Sequence, residues 1–214
     1  MKVELIEHEH PVFANCYAVY DEASGEAAIV DPGWYGDAVK GYFAARPELK
    51  LKYVLLTHGH FDHIMGVHGI QKEMGAAVVI HSADAEHLLD PKKSLAEGNM
   101  PEPQHPVTAD IIVEDGDTLT LGETEIKVMN TPGHTDGCVC YIIENGRFIL
   151  SGDTLFCMTV GRTDFEGGSD EKMVASLKRL LALGGDYKVY PGHNRSTTLE
   201  SERKRNWYIR RMVR

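Results

Sequence analysis

Basic residues are in short supply along this chain. Lysine and arginine number 22 against 32 aspartates and glutamates in 214 residues, a formal net charge of −10 with a sequence pI near 5.5. An extended nucleic-acid surface needs clustered cations to displace counterions, so nucleic acid is not an expected partner; only a local basic patch is compatible with these totals. Cysteine is rarer still, and Cys16, Cys138, Cys140 and Cys157 include no Cys-x-x-Cys pair. All four read as buried core residues, with Cys138 and Cys140 alternating along an expected strand. Apolar runs of membrane length are missing as well, and Met1-Lys2-Val3-Glu4 opens the chain without an apolar signal core. The expectation is a cytoplasmic protein with no membrane contact. No short-period repeat, linker or second domain is visible, so residues 1–214 are read as one domain of ordinary size for a layered unit. Oligomeric state leaves no mark in the sequence.

What is plentiful is apolar residue, 43% of the chain, which is enough for a large core and argues against disorder. Residues 2–7, 15–20 and 26–30 read as strands, the last stopped by Asp31-Pro32-Gly33. Apolar spacing predicts helices over 37–45 and from Ile64 to Met74, the second closed by Gly75, and a short one over 83–89. Runs 51–56 and 76–80 read as buried strands. Residues 90–109 carry four prolines and little periodicity; this long loop is either a lid or substrate wall, or a solvated connector. From Ile111 to Leu155 the pattern is β throughout, with a hairpin at Asn145-Gly146. Ser169 is placed to cap a helix burying Met173, Val174, Leu177, Leu180 and Leu181; Tyr187–Tyr190 is a last strand, and Glu200–Met212 a basic helix. Strands and a helix, then strands and a helix again, predict two sheets packed face to face with helices outside.

The chemistry concentrates in Thr57-His58-Gly59-His60-Phe61-Asp62-His63, where three histidines and an aspartate fall within six positions. In an extended segment, positions two apart project to one side, so His58 and His60 can share a metal ion. Asp62 and His63, at the turn into a helix, point elsewhere and can reach a second ion. Gly59 is expected to keep side-chain bulk away from the metals. Imidazole with carboxylate suits a borderline divalent ion. Three further turns, Thr131-Pro132-Gly133-His134, Ser151-Gly152-Asp153-Thr154 and Pro191-Gly192-His193, each follow a predicted strand and set a metal-competent side chain beside a glycine.

The series His-x-His-x-Asp-His, then His134, Asp153 and His193, resembles the metallo-β-lactamase-fold hydrolases over nearly the whole chain. Gly152-Asp153-Thr154-Leu155-Phe156, Gly161-Arg162-Thr163-Asp164 and Pro191-Gly192-His193 look most like the glyoxalase II (hydroxyacylglutathione hydrolase) branch, in its short single-domain form. The resemblance implies an α+β fold, a four-layer αββα sandwich with metals at one edge of the sheets. It assigns His58, His60 and His134 to one ion, Asp62, His63 and His193 to the other, and Asp153 to both. It implies two divalent ions, zinc first, with iron or manganese as alternatives. A shared water of lowered pKa would then attack the acyl carbon of a small-molecule thioester without a side-chain nucleophile. Thr57, Asp31 and Thr154 are candidates for supporting the ligands, or are ordinary turn caps.

Arg162 matches a basic glutathione contact of that branch, whereas Asp164 and Arg195 stand where aromatics are expected. The turns around His134 and Gly161–Phe165 also resemble persulfide dioxygenases, which hold one iron through residues matching His58, His134 and Asp153. A lactonase of the same fold is a further alternative. His8, His10, His68, His81, His87 and His105 match no ligand position; His68 and His87 are expected on helix surfaces, and His81 alone sits close enough to watch.

Overall fold

The computed structural model describes residues 1–8 and 12–213; His10 therefore lies outside the described residues. Two six-stranded sheets face each other. The first runs, edge to edge, β1 (Lys2–Ile6), β2 (Cys16–Tyr20), β3 (Glu26–Val30), β4 (Lys50–Leu55), β5 (Ala77–His81) and β6 (Ile111–Val113). The second contains β7 (Thr118–Leu121), β8 (Thr124–Asn130), β9 (Val139–Ile143), β10 (Phe148–Gly152), β13 (Lys188–Pro191) and β14 (Thr197–Thr198), in the spatial order β14-β13-β10-β9-β8-β7. A small hairpin, β11 (Leu155–Phe156) with β12 (Thr159–Val160), stands apart.

Each layer follows from which faces are apolar. Val19, Ala28, Leu55 and Val79 of the first sheet meet Leu121, Val128, Tyr141 and Leu150 of the second in a dry seam. The outer face of the first sheet is covered by α1 (Asp37–Ala44) and α3 (Val67–Met74), through Val39, Phe43, Val67 and Ile70. The outer face of the second is covered by α4 (Asp170–Leu181), α5 (Leu199–Arg205) and α6 (Trp207–Met212), through Met173, Leu177, Leu180, Leu199 and Ile209. Strands covered on both faces are apolar throughout, as in β2 and β9, whereas edge strand β7 alternates exposed threonine with buried leucine. The four-layer αββα sandwich is thus the observed architecture.

Four differences from the sequence reading have local causes. The helix after His63 breaks between α2 (Phe61–Ile64) and α3, because the backbone of Gly66 docks against Pro32, donating to its carbonyl at 2.8 Å. The basic C-terminal helix is two helices divided at Asn206, whose backbone is extended and whose Oδ1 accepts from Tyr208 and Ile209 N–H. The Asn145-Gly146 hairpin exists, yet its left-handed residue is Arg147 (φ 55°), held by hydrogen bonds to the Gly184 and Asp186 carbonyls. Cys157 is not a core residue: it sits half-buried in the β11–β12 turn with Arg195 Nε 3.5 Å from its sulfur, while the other three thiols are buried. Among the described residues no helix is long and apolar enough to cross a membrane.

Candidate metal centre

The turns leaving β4, β8, β10 and β13 meet at one edge of the two sheets. Backbone bonds stitch them together: Val139 N–H to the Thr57 carbonyl at 2.8 Å, Gly192 N–H to the Gly152 carbonyl at 2.9 Å, and Ala14 N–H to the Asp62 carbonyl at 3.0 Å. Gly192 is required by space. A Cβ there would lie 2.3 Å from Asp153 Oδ1 and 2.7 Å from His63 Cε1. Gly59 is small for a reason other than the expected one, since its Cβ would strike His87 Cβ at 2.4 Å and not a metal ligand.

The seven side chains singled out by the sequence come together in three overlapping triads, His58–His60–His134, His58–His63–Asp153 and Asp62–His63–His193. His60 Nδ1 lies 3.1 Å from His58 Nε2 and 2.8 Å from His134 Nε2. Asp62 Oδ2 lies 3.0 Å from His193 Nε2 and 3.7 Å from His63 Nε2. Asp153 stands between them, 3.5 Å from His134, 3.4 Å from His63 and 3.7 Å from His193. Two imidazole nitrogens thus converge on a third, an arrangement that a borderline divalent cation can use. His63 Nε2 and Asp153 Oδ1 are buried without a hydrogen-bond partner, a state that costs free energy in an otherwise satisfied interior. Borderline divalent ions take this mixture of imidazole and carboxylate, and the residues present fit them.

Supporting contacts set the tautomers. The Arg162 carbonyl can only accept, so at 2.7 Å it places the His134 proton on Nδ1 and bares Nε2 toward the centre. Thr57 Oγ1 donates to Asp31 Oδ2 at 2.7 Å, leaving its lone pair for His58 Nδ1 at 3.3 Å. Asp31 Oδ2 also lies 3.0 Å from His63 Nδ1, near in distance though off the line of a hydrogen bond. Thr154 touches no ligand imidazole here; it bonds Thr131 Oγ1 at 2.7 Å and ties two of the turns. His81 is spent elsewhere, accepting from Ala83 N–H and lying 3.3 Å from Glu114. His68 and His87 are half-buried and not on open helix faces; His68 stacks on His105, and His87 backs Gly59.

Burial drives the His58 pKa well below the ordinary imidazole value, and the neighbouring imidazoles add to it. The same causes bring His60 down to about 3. Burial also disfavours a charge on His63, but the carboxylates of Asp62, Asp31 and Asp153 outweigh it and hold its pKa well above the usual range. Burial opposes ionisation of Asp153, and the imidazoles of His63, His134 and His193 overcome it, bringing the carboxyl down to about 2. A pH dependence follows. Metal must displace the His63 proton, because the raised folded-state pKa keeps it bound near neutrality. Affinity at the Asp62–His63–His193 group is therefore expected to climb by up to about tenfold per pH unit, flattening above that pKa. His58 and His60, already neutral, add no such slope at the other group. In metal-free protein the sign reverses: the stability due to charged His63 is complete below about pH 6.5 and is lost as pH rises through the raised value. Chelator-competition titrations at about pH 6, 7 and 8 check this, and parallel slopes for both ions would contradict it.

The centre opens into a pocket of about 430 Å³ whose further walls include Phe61, Leu95, Phe156, Val160, Arg162, Phe165 and Asn194. Arg162 reaches it with its guanidinium forked by Asp164 at 2.6 and 2.7 Å and laid over Phe165, 4.2 Å from the ring centre. Phe165, one position beyond the missing aromatic, faces His60 at 5.4 Å between rings. Arg195 points to Cys157 instead. The 90–109 loop supplies a wall through Leu95, while Met100, Pro101 and Pro103 border a separate apolar groove with Trp34.

One important residue escaped the sequence reading. Asp84, wholly buried at 0% exposure in the 3-10 helix Ser82–Leu88, accepts from Gly59 N–H at 2.9 Å, Thr135 Oγ1 at 2.7 Å and Gly137 N–H at 2.8 Å. It thereby joins the loop bearing His58 and His60 to the loop bearing His134.

Residues 11–193 match the model of the metallo-beta-lactamase superfamily. The chain belongs to that superfamily. An uncharacterized protein of Mycobacterium leprae is 37% identical, with 91% of this chain and 93% of the relative covered. The hydroxyacylglutathione hydrolase GloC of Haemophilus influenzae is 29% identical, with 98% of each covered. Among solved structures, the B3 metallo-beta-lactamase BLEG-1 superposes with a TM-score of 0.90 at 31% identity, covering 97% of this chain and 99% of its own. TTHA1623 in a di-iron-bound form gives 0.80 at 31% identity, covering 92% and 96%. Hydrolase and metal-binding character thus come with the superfamily, and its fold accommodates a dinuclear site.

Proposed function

We propose that this protein is a dinuclear metal-dependent hydrolase of acyl thioesters, similar to hydroxyacylglutathione hydrolases. The observation that carries the reading is the pair of ligand groups on either side of Asp153, open to one pocket. His58, His60 and His134 would hold one ion, Asp62, His63 and His193 the other, and Asp153 both. Zinc is the first candidate; iron is kept in view by the similarity to a di-iron protein, and manganese is also compatible. Two such ions supply a water of lowered pKa and a Lewis acid for the carbonyl oxygen. The protein's own part is to keep the ligands in fixed tautomers, to line the approach with apolar side chains that exclude bulk water, and to hold the carrier of the thioester near Arg162. Similarity to GloC over 98% of both chains supports the substrate class.

A mononuclear-iron persulfide dioxygenase is the competing reading, motivated by the Gly161-Arg162-Thr163-Asp164-Phe165 segment. Against it, Asp62 and His193 stand 3.0 Å apart as part of a second group. Elemental analysis of protein purified without chelators, followed by a panel of thioesters, a lactone and a β-lactam with oxygen uptake recorded, decides between them. Two ions per chain with thioester turnover and no oxygen uptake is expected; one iron with oxygen consumption would overturn the proposal.

Arg162 gives a further prediction. Its side chain is exposed and already forked by Asp164, so an anionic carrier such as glutathione gains only a shared contact. Arg162→Ala is expected to raise KM for S-lactoylglutathione by about 3–10-fold and to change kcat less, because uniform binding is lost and not transition-state contact. An unchanged KM in steady-state kinetics would place carrier recognition on another surface.

A further inference from the structure

Leu95 is in the left-handed region at φ 63°, where a bulky side chain is a true outlier and turn chemistry favours glycine or asparagine. Asn194, on the same pocket at φ 68°, follows that preference; Leu95 breaks it. The turn does not need the leucine. Its backbone is held by Leu95 N–H to the Lys92 carbonyl at 3.1 Å, and it is docked on α2 by Phe61 N–H to the Ser94 carbonyl at 2.8 Å. Asn99 Nδ2 donates to the Leu95 carbonyl at 2.8 Å. Neither does the core need it: among the described residues Leu95 joins none of the three apolar clusters. It is half-buried and lines the pocket beside the metal centre, with Phe61, Phe156, Val160 and Phe165 on the other walls.

Backbone strain retained at a binding site, with no structural return, points to a contact with ligand. We infer that this pocket selects an apolar acyl group next to the scissile carbonyl, and that Leu95 is its specificity-determining residue. The inference rests on the thioester-hydrolase reading for the reaction and stands on the pocket for binding. Arg162 does not oppose it, since Asp164 already engages its charge.

Two arms test it on metal-loaded protein. In the first, the linear carboxylates from acetate to octanoate, the acyl products themselves, are bound by calorimetry. Affinity is expected to rise about threefold to fourfold per methylene until the pocket is full, and Leu95→Asn is expected to flatten that rise while metal content stays the same. In the second arm, thioesters of the same acyl groups on one carrier are expected to show the same trend in kcat/KM. Thermal melts of Leu95→Asn and Leu95→Gly separate a ligand role from a structural one. Relief of the left-handed strain predicts a Tm unchanged or raised by up to about 4 °C. A flat carboxylate series, a series whose slope survives Leu95→Asn, or a clear fall in Tm for both variants would overturn the assignment. Carboxylates that bind with the expected slope while no thioester is turned over would sink the hydrolase reading and leave the apolar pocket standing.

Discussion

Asp153→Ala is expected to remove both metal ions and to abolish hydrolysis, a larger loss than any other single substitution at the centre. The carboxyl lies within 3.4–3.7 Å of His63, His134 and His193, so it reaches a histidine of the His58–His60–His134 set and two of the Asp62–His63–His193 set. Its Oδ1 is buried and without a hydrogen bond, which leaves it free for a cation. Changes to residues that merely support ligands typically cost 10–100-fold in metal affinity; loss of a shared ligand should exceed that at each site. His193→Ala serves as the contrast, since apart from Asp153 its Nε2 pairs with Asp62, and it should release one ion while the other stays. Elemental analysis and calorimetric titration of both variants give the readout. Two ions and near-native turnover in Asp153→Ala would remove Asp153 from the bridging position.

Much of this centre is readable in one dimension because its ligands come in short-range patterns. His58, His60, Asp62 and His63 lie on a single turn, and the other three side chains each follow an apolar strand beside a glycine. The layers are legible for the same reason: apolar runs covered by the fold, such as β5 and β9, and the helical spacing of α4 are local signals. What stayed hidden depends on contacts distant in sequence. The end of α2 is set by Pro32, thirty-four positions before Gly66. The division of the last helix is set by Asn206, whose Nδ2 donates to the Thr159 carbonyl and to Glu202. Cys157 looked like any other thiol until the β11–β12 hairpin placed it beside Arg195. The left-handed backbone of Leu95 could not be read at all, because residue type there argues for the opposite conformation.

Asp84 was concealed most completely. In sequence it is one acidic residue between two alanines. In the fold it is buried and accepts from donors 25, 51 and 53 positions away. Asp84→Ala strands the buried Gly59 and Gly137 N–H groups and leaves the Thr135 hydroxyl only the Cys138 sulfur at 3.2 Å. Each unpaired buried donor costs about 1–3 kcal/mol, so destabilisation of about 3 kcal/mol or more is expected. That result alone would mark a structural residue. The sharper test is Asp84→Asn, which keeps the shape and one acceptor oxygen but turns an amide NH₂ toward at least one of the three donors. It should fold, yet let the His58–His60 loop drift from the His134 loop. Affinity for the ion at that group is expected to fall about 10–100-fold, the range seen when outer partners of ligands are changed. The Asp62–His63–His193 group makes none of these three bonds and should keep its ion. Competition titrations resolving the two ions provide the measurement. A lower Tm with both affinities intact, or an equal loss at both groups, would show that Asp84 holds the fold without aligning the His58–His60–His134 set.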